Sequence, residues 1–146
     1  MQMATAYSKF IDAFLRKIDD YKMIKYSDWD IKQDSIKYMK TAITQFCSEC
    51  AITDYEYDDV IEQFSLDMGD EEIDIISKGM VVEWLKPSVY KSRAMENIMN
   101  TKDFSYFSPQ KMLEQNKALL ADAKKEFKNS LFYYTYKIGN IEEFNR

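Results

Sequence analysis

The chain has 146 residues, 46% apolar and 31% charged, which predicts one helical domain over residues 1–146 with a sizeable core. It contains no His and only three Gly, which excludes Ser-His-Asp and Cys-His nucleophile pairs, His metal sites and the glycine-rich loops that cradle phosphates. A net charge of -5 argues against a general nucleic-acid binder, and no apolar run approaches the roughly 18 residues that span a membrane.

Tyr7, Phe10, Ile11, Phe14, Leu15 and Ile18 recur at helical spacing. They predict a first helix from about Ala4 to Asp20. The segment before it has neither a basic start nor an apolar stretch, so no secretory signal is expected. Folding in a reducing cytoplasm is the expectation that follows. Residues 21–27 link to a second helix, from about Asp28 to Glu49, with Ser27 or Asp28 as its N-cap. Ile36, Met39, Ile43, Phe46, Cys47 and Cys50 form its apolar stripe.

Residues 51–69 read as an irregular acidic loop. Tyr55 and Tyr57 alternate with acids there, which suits a short strand or an ordered loop. From Asp54 to Asp74 the chain has ten acids and no Lys or Arg; the remainder holds 20 bases against 15 acids. A mildly basic body thus carries one strongly acidic segment. Such asymmetry either marks a solvated face or guides the packing of identical copies.

Gly69 followed by Asp70, Glu71 and Glu72 predicts a helix start whose acids complement the macrodipole. Ile73, Ile75, Ile76, Met80, Val81, Val82, Trp84 and Leu85 cover most of that helix's circumference, the mark of a central buried helix. Pro87 is expected to stop or kink it near Leu85. Val89, Tyr90, Met95, Ile98 and Met99 then suggest a further short helical stretch. Residues 100–108 read as an extended loop anchored by Phe104, Tyr106 and Phe107.

Ser108-Pro109 is an N-cap followed by proline at the first helical position. The last helix is expected from Pro109 to about Tyr136, with Gly139 ending it. Leu113, Leu120, Phe127 and Tyr134 recur every seven residues, with Asn116, Ala123 and Ser130 between them. Such a helix is roughly 42 Å long and crosses the domain. Leu131, Phe132, Tyr133, Tyr134 and Tyr136 cannot all face one core, so part of this end is expected to meet another chain. The segment 131–141 is also rich in β-formers, and residues 132–146 read as a partner-binding tail that pairs with a strand or fills a groove. The fold class is therefore all-α, a bundle of four to five helices with a long C-terminal helix and an acidic loop.

Little catalytic chemistry emerges. Cys47 and Cys50 form a C-x-x-C, but zinc needs two further ligands at matching spacing, and the pair sits at a helix C-terminus, where the dipole opposes a thiolate. Both read as core thiols. Setting Asp54, Glu56 and Asp58 against a calcium loop puts Asp59 where Gly is required and Ser65 where a bidentate Glu is required. That pattern fails. Carboxylate pairs are expected by chance among so many acids, and no catalytic partner type stands out. Lys124, Lys125 and Lys128 are interrupted by Asp122 and Glu126, which reads as a solvated face. The nine methionines fall mostly on apolar stripes and read as core filling. The chain is thus expected to be no enzyme and to hold no metal and no cofactor.

Two stretches carry a resemblance. Residues 70–90 give an acid-capped helix with Met80, Trp84, Leu85, Pro87 and Tyr90; residues 100–116 give an aromatic loop running through Ser108-Pro109 into a long helix. In these, and in its helical layout, the chain resembles the head–tail connector, or neck adaptor, proteins of tailed bacteriophages. The resemblance implies a virion subunit made in the host cytoplasm. It implies a ring of about 12 copies under the portal, docking on the portal protein above and a stopper or tail component below. Double-stranded DNA would pass through that ring without specific binding, and no membrane is involved. No catalytic residues transfer from such a family.

Tyr55, Tyr57, Phe132, Tyr133, Tyr136 and Ile138 are the candidate interface residues. Asp54, Glu56, Asp58, Asp59, Glu62 and Asp67 are the candidate acidic surface, facing either the channel or the basic part of a neighbouring copy. The alternatives are another phage tail-completion or assembly protein, or a small acidic regulatory protein binding a basic partner in a salt-sensitive way. A carboxylate-only enzyme is a third class, and it requires a closed pocket holding two carboxylates of raised pKa.

Overall fold

The computed structural model describes residues 3–19, 28–99 and 109–144. Among these residues there are four α-helices: α1 (Tyr7–Ile18), α2 (Asp28–Glu49), α3 (Asp70–Met99) and α4 (Pro109–Phe144). Three two-residue strands, β1 (Thr5–Ala6), β2 (Tyr57–Asp58) and β3 (Gln63–Phe64), make a minor antiparallel sheet in the order β1-β3-β2. The chain is an all-α bundle with one small β element added to it.

The centre of the bundle is α3, because its sequence is apolar on nearly every side. Ile73, Ile75, Ile76, Met80, Val81, Val82, Trp84 and Leu85 are all buried. Its first turn carries Asp70, Glu71 and Glu72, and the Ile73 N–H closes that turn on the Gly69 carbonyl. All three other helices pack on it. Phe10 and Phe14 of α1, Met39, Ile43 and Phe46 of α2, and Ala123, Phe127 and Leu131 of α4 join it in one contiguous core. Each such large side chain contributes roughly 1.5–3 kcal/mol by leaving water.

Five expectations need correction. The first helix begins at Tyr7 rather than Ala4, because Thr5 and Ala6 pair with Phe64 and Gln63 as a strand. Thr5 is buried there; its hydroxyl donates to the Leu66 carbonyl and accepts from the Met68 N–H at 3.0 Å. The acidic loop is not irregular throughout, since β2 and β3 form a hairpin within it.

Pro87 neither stops α3 nor separates it from a further helix; α3 continues to Met99. Proline removes the N–H that would meet the Glu83 carbonyl, a cost of about 3 kcal/mol in a helix interior. Pro87 itself is exposed, so its ring displaces nothing in the core. Leu85 and Val89, four residues apart, are both buried. Their burial at roughly 1.5–3 kcal/mol each offsets the loss.

Gly139 does not end α4, which runs to Phe144. Glycine stops a helix by adopting a left-handed conformation, and no glycine of this chain has a positive φ. The 36 residues of α4 are roughly 54 Å long, longer than expected. The β-former-rich segment 131–141 is helix as well, so it offers a helix face and no strand. Burial of Leu131 and Tyr134 in the bundle holds it in helical register. The linker 21–27, the loop 100–108 with Phe104, Tyr106 and Phe107, the N-caps Ser27 and Ser108, and the side chains of Tyr90, Met95, Ile98, Met99 and Leu113 lie outside the described residues.

The end of α2 is closed by a local motif. The Ile52 N–H reaches the Cys47 carbonyl at 2.8 Å and the Ala51 N–H reaches the Ser48 carbonyl, while Ala51 takes a left-handed φ of 56°. The chain thereby turns off α2 into the acidic segment.

Candidate functional site

The hairpin is anchored by aromatic burial and by one shared carboxylate. Phe64 is buried against the rings of Tyr7, Phe10 and Tyr57, at centroid distances of 4.8, 5.8 and 6.0 Å. Across the turn 59–62, Asp59 accepts a hydrogen bond from the Tyr7 hydroxyl at 2.8 Å and an ion pair from Lys40 at 2.9 Å. The hydrogen bonds from Lys40 and then Tyr7 hold the Asp59 carboxyl below the usual carboxylate range. Burial, and then the Asp59 bond, push the Tyr7 phenol well above its ordinary value. Lys40 also lies 4.7 Å above the Tyr57 ring. Asp58 accepts from the Val60 N–H at 2.8 Å, and Glu62 turns the chain back with a φ of 54°.

Much of the acidic segment is therefore matched within the chain. Glu62 pairs with Lys32 at 3.3 Å, Glu71 with Lys137 at 3.2 Å, and Asp74 with Lys17 at 2.6 Å and Lys78 at 3.4 Å. Asp54, Glu56 and Asp67 are exposed and make no ion pair among the described residues. Asp58, in the hairpin, is half-buried. The six candidate acids thus divide into a clamp (Asp59, Glu62), a turn cap (Asp58) and three exposed charges.

On the other side of α3, Phe127, Leu131 and Tyr134 of α4 face the core and Ser130 meets Lys78 at 3.0 Å. The Tyr134 ring packs 5.2 Å from Phe46, and its hydroxyl donates to Glu72 at 2.9 Å. Burial and then the Glu72 bond raise the Tyr134 phenol well above its ordinary value. Between α3 and α4 lies an open groove of about 610 Å³ whose walls include Asp74, Lys78, Tyr133 and Tyr136. Burial raises the Asp74 carboxyl, but the bond from Lys17 and the charges of Lys17 and Lys78 outweigh it and leave it below the ordinary range. That is the direction opposite to the one a carboxylate general acid needs.

Along the outer edge of this groove, Phe132, Tyr133 and Tyr136 are 67, 71 and 63% exposed. They form a preassembled patch: Phe132 stacks on Tyr136 with 14° between ring planes, and its edge meets Tyr133 at 6.1 Å. Ile138 and Tyr55 do not belong to an exposed surface; both are half-buried, and Tyr55 packs against the core. Tyr57 is half-exposed and belongs to the hairpin.

Val60 and Ile61, at the hairpin tip, are 92 and 52% exposed, and the sequence reading did not single them out. Their signal is a β-branched pair set inside an acidic run. The Tyr7–Asp59–Lys40 clamp had no sequence signal, because 52 residues separate Tyr7 from Asp59.

Cys47 is buried and Cys50 half-buried, and both are free thiols. Burial, then the neighbouring Cys50, push the Cys47 thiol up to about 11; burial, then Glu49 and Glu72, raise that of Cys50. Cys47 sits in the core as its helical spacing predicts, and Cys50, just past the end of α2, packs against that core. Among the described residues no three His, Cys, Asp or Glu side chains gather as a metal-binding set, and no helix is long and apolar enough to cross a membrane.

Comparison with known proteins found no matching family model, no matching curated protein and no matching solved structure.

Proposed function

We propose that the chain is a non-enzymatic structural subunit of a tailed-phage virion neck. In this reading it is a ring-forming head–tail connector, in about 12 copies, that docks on the portal and surrounds the DNA channel. The observation that carries the proposal is the aromatic patch of Phe132, Tyr133 and Tyr136, preassembled and exposed on a helix that its own core leaves uncovered. Three large rings facing water suit an assembly contact. The resemblance of residues 70–90 and 100–116 to neck adaptors supplies the setting. Exposed Asp54, Glu56 and Asp67 suit either a channel wall that repels DNA or contact with a neighbour's lysines.

The test is light scattering with negative-stain imaging of the purified chain, alone and mixed with the portal protein of the same genome. Rings, or a complex on the portal, are the expected result. Phe132→Ser/Tyr136→Ser should abolish them while leaving thermal unfolding nearly unchanged, because exposed positions contribute within about 0.5 kcal/mol. A monomer that ignores the portal overturns the neck reading and favours the acidic regulatory protein.

A further inference from the structure

We propose that the hairpin tip of one copy, Val60 and Ile61, docks on the α4 aromatic patch of the next copy. This rests on the ring-subunit reading and names the two faces that would meet.

Both faces are preorganised. The tip is held by the Asp58 cap on the Val60 N–H and by the Tyr7 and Lys40 contacts to Asp59. The patch is held by its own ring contacts. Preorganised groups lose little entropy on association.

Their surroundings are also complementary in charge. Lys128 and Lys125 lie one and two turns before Phe132, exposed, with no ion pair among the described residues. Asp54 and Glu56 on the hairpin arm are exposed in the same way. Opposite signs beside an apolar centre set orientation and suppress wrong pairings.

Topology selects a second copy as the occupant. Within one chain the tip is held away from the patch: Tyr7 of α1 and Lys40 and Lys32 of α2 hold the hairpin, whereas the patch lies on α4 and borders its groove with α3. The patch end of α4 lies beside the start of α3, where Lys137 and Tyr134 reach Glu71 and Glu72. Two unlike faces on one subunit make a heterologous contact, which forms a ring when the rotation it repeats closes.

Size sets the strength. Three rings about two-thirds exposed offer roughly 300–500 Å². A stable interface needs about 800 Å² per partner. One contact is therefore weak, and a closed ring, in which every copy makes two, is stable.

The test uses two single-site variants, Ile61→Cys and Tyr136→Cys, each in a Cys50→Ser background, oxidised separately and as a mixture at high concentration. The expected result is a disulfide-linked dimer in the mixture and none from either variant alone. Self-linking of the Tyr136→Cys variant, or no product in the mixture, overturns the pairing. The charge match has its own test by sedimentation. Lys125→Glu/Lys128→Glu weakens self-association about tenfold or more, as does Asp54→Lys/Glu56→Lys, and mixing the two restores it. Absence of that rescue overturns the charge match. Rings without the Ile61–Tyr136 link remove the pairing and keep the ring. The link in a chain that ignores the portal keeps the pairing and removes the neck reading.

Discussion

The ring of Phe127 lies against Gly79, where an added Cβ would stand 2.8 Å from its Cζ and 3.0 Å from the Ala42 Cβ. Helices α2, α3 and α4 meet at this point, and the missing side chain is what lets them approach. Alanine at position 79 gains about 1 kcal/mol of helix propensity. Overpacking costs about 1–3 kcal/mol, and the ring is buried with little room to move. Gly79→Ala should therefore destabilise the chain by about 1 kcal/mol in urea unfolding. Shortening the ring opens the space, so Gly79→Ala/Phe127→Leu should lose less than the two single changes added together. Additive losses would show that the two residues do not compete for one volume.

Ala51 offers the opposite sign. It holds the left-handed position after α2 at a φ of 56°, where a side chain costs about 1 kcal/mol. Ala51 is exposed and packs nothing into the core. Ala51→Gly should raise stability by about 0.5–1 kcal/mol, read as a higher urea midpoint at unchanged slope. A lower midpoint would show that the flexibility glycine adds to the unfolded chain outweighs the relieved strain.

The displaced titrations give stability two pH limits. The carboxyls of Asp59 and Asp74 are depressed in the folded chain, so their contribution is full above the unfolded value of about 3.9 and is lost as pH falls through the folded value. The phenols of Tyr7 and Tyr134 are raised, so theirs is full below about pH 10 and is lost as pH rises beyond it. The melting temperature should stay level from about pH 5 to 9, drop below about pH 4 and drop again above about pH 10. Tyr134→Phe should blunt the alkaline drop, and Asp59→Asn the acid one. A profile unchanged by either substitution would remove these groups as its cause.

Periodicity made the helices legible. The stripe of Tyr7, Phe10, Ile11 and Phe14, and the all-round apolar surface of residues 73–85, each depend on 3.6-residue spacing within one segment, and both are buried as that spacing requires. The seven-residue recurrence of Leu120, Phe127 and Tyr134 likewise marks the seam of α4. Local signals for ending a helix were less reliable. Pro87 and Gly139 are breakers by propensity, and both are overruled because helix continues to bury apolar groups, or meets no obstacle, beyond them.

Long-range matching was not legible. Nothing near Asp59 in the sequence points to Tyr7, and nothing near Glu72 points to Tyr134, 62 residues on. The acidic run read as one surface because charge along a chain says nothing about which lysines will come to face it. The fold brings Lys40, Lys32, Lys137 and the pair Lys17 and Lys78 to four different acids along that run and leaves Asp54, Glu56 and Asp67 outside.

An all-α chain, a central third helix and a surplus of aromatic residues at the end of the last one follow from residue order alone, because helix formation and amphipathicity are local properties. Which of those aromatics stay in water, that Val60 and Ile61 stand out at a hairpin tip, and which acids are matched follow from the packing of the folded chain. Exposure and charge pairing depend on where whole helices lie against one another, and that is set by packing side chains such as Phe127 against gaps such as Gly79.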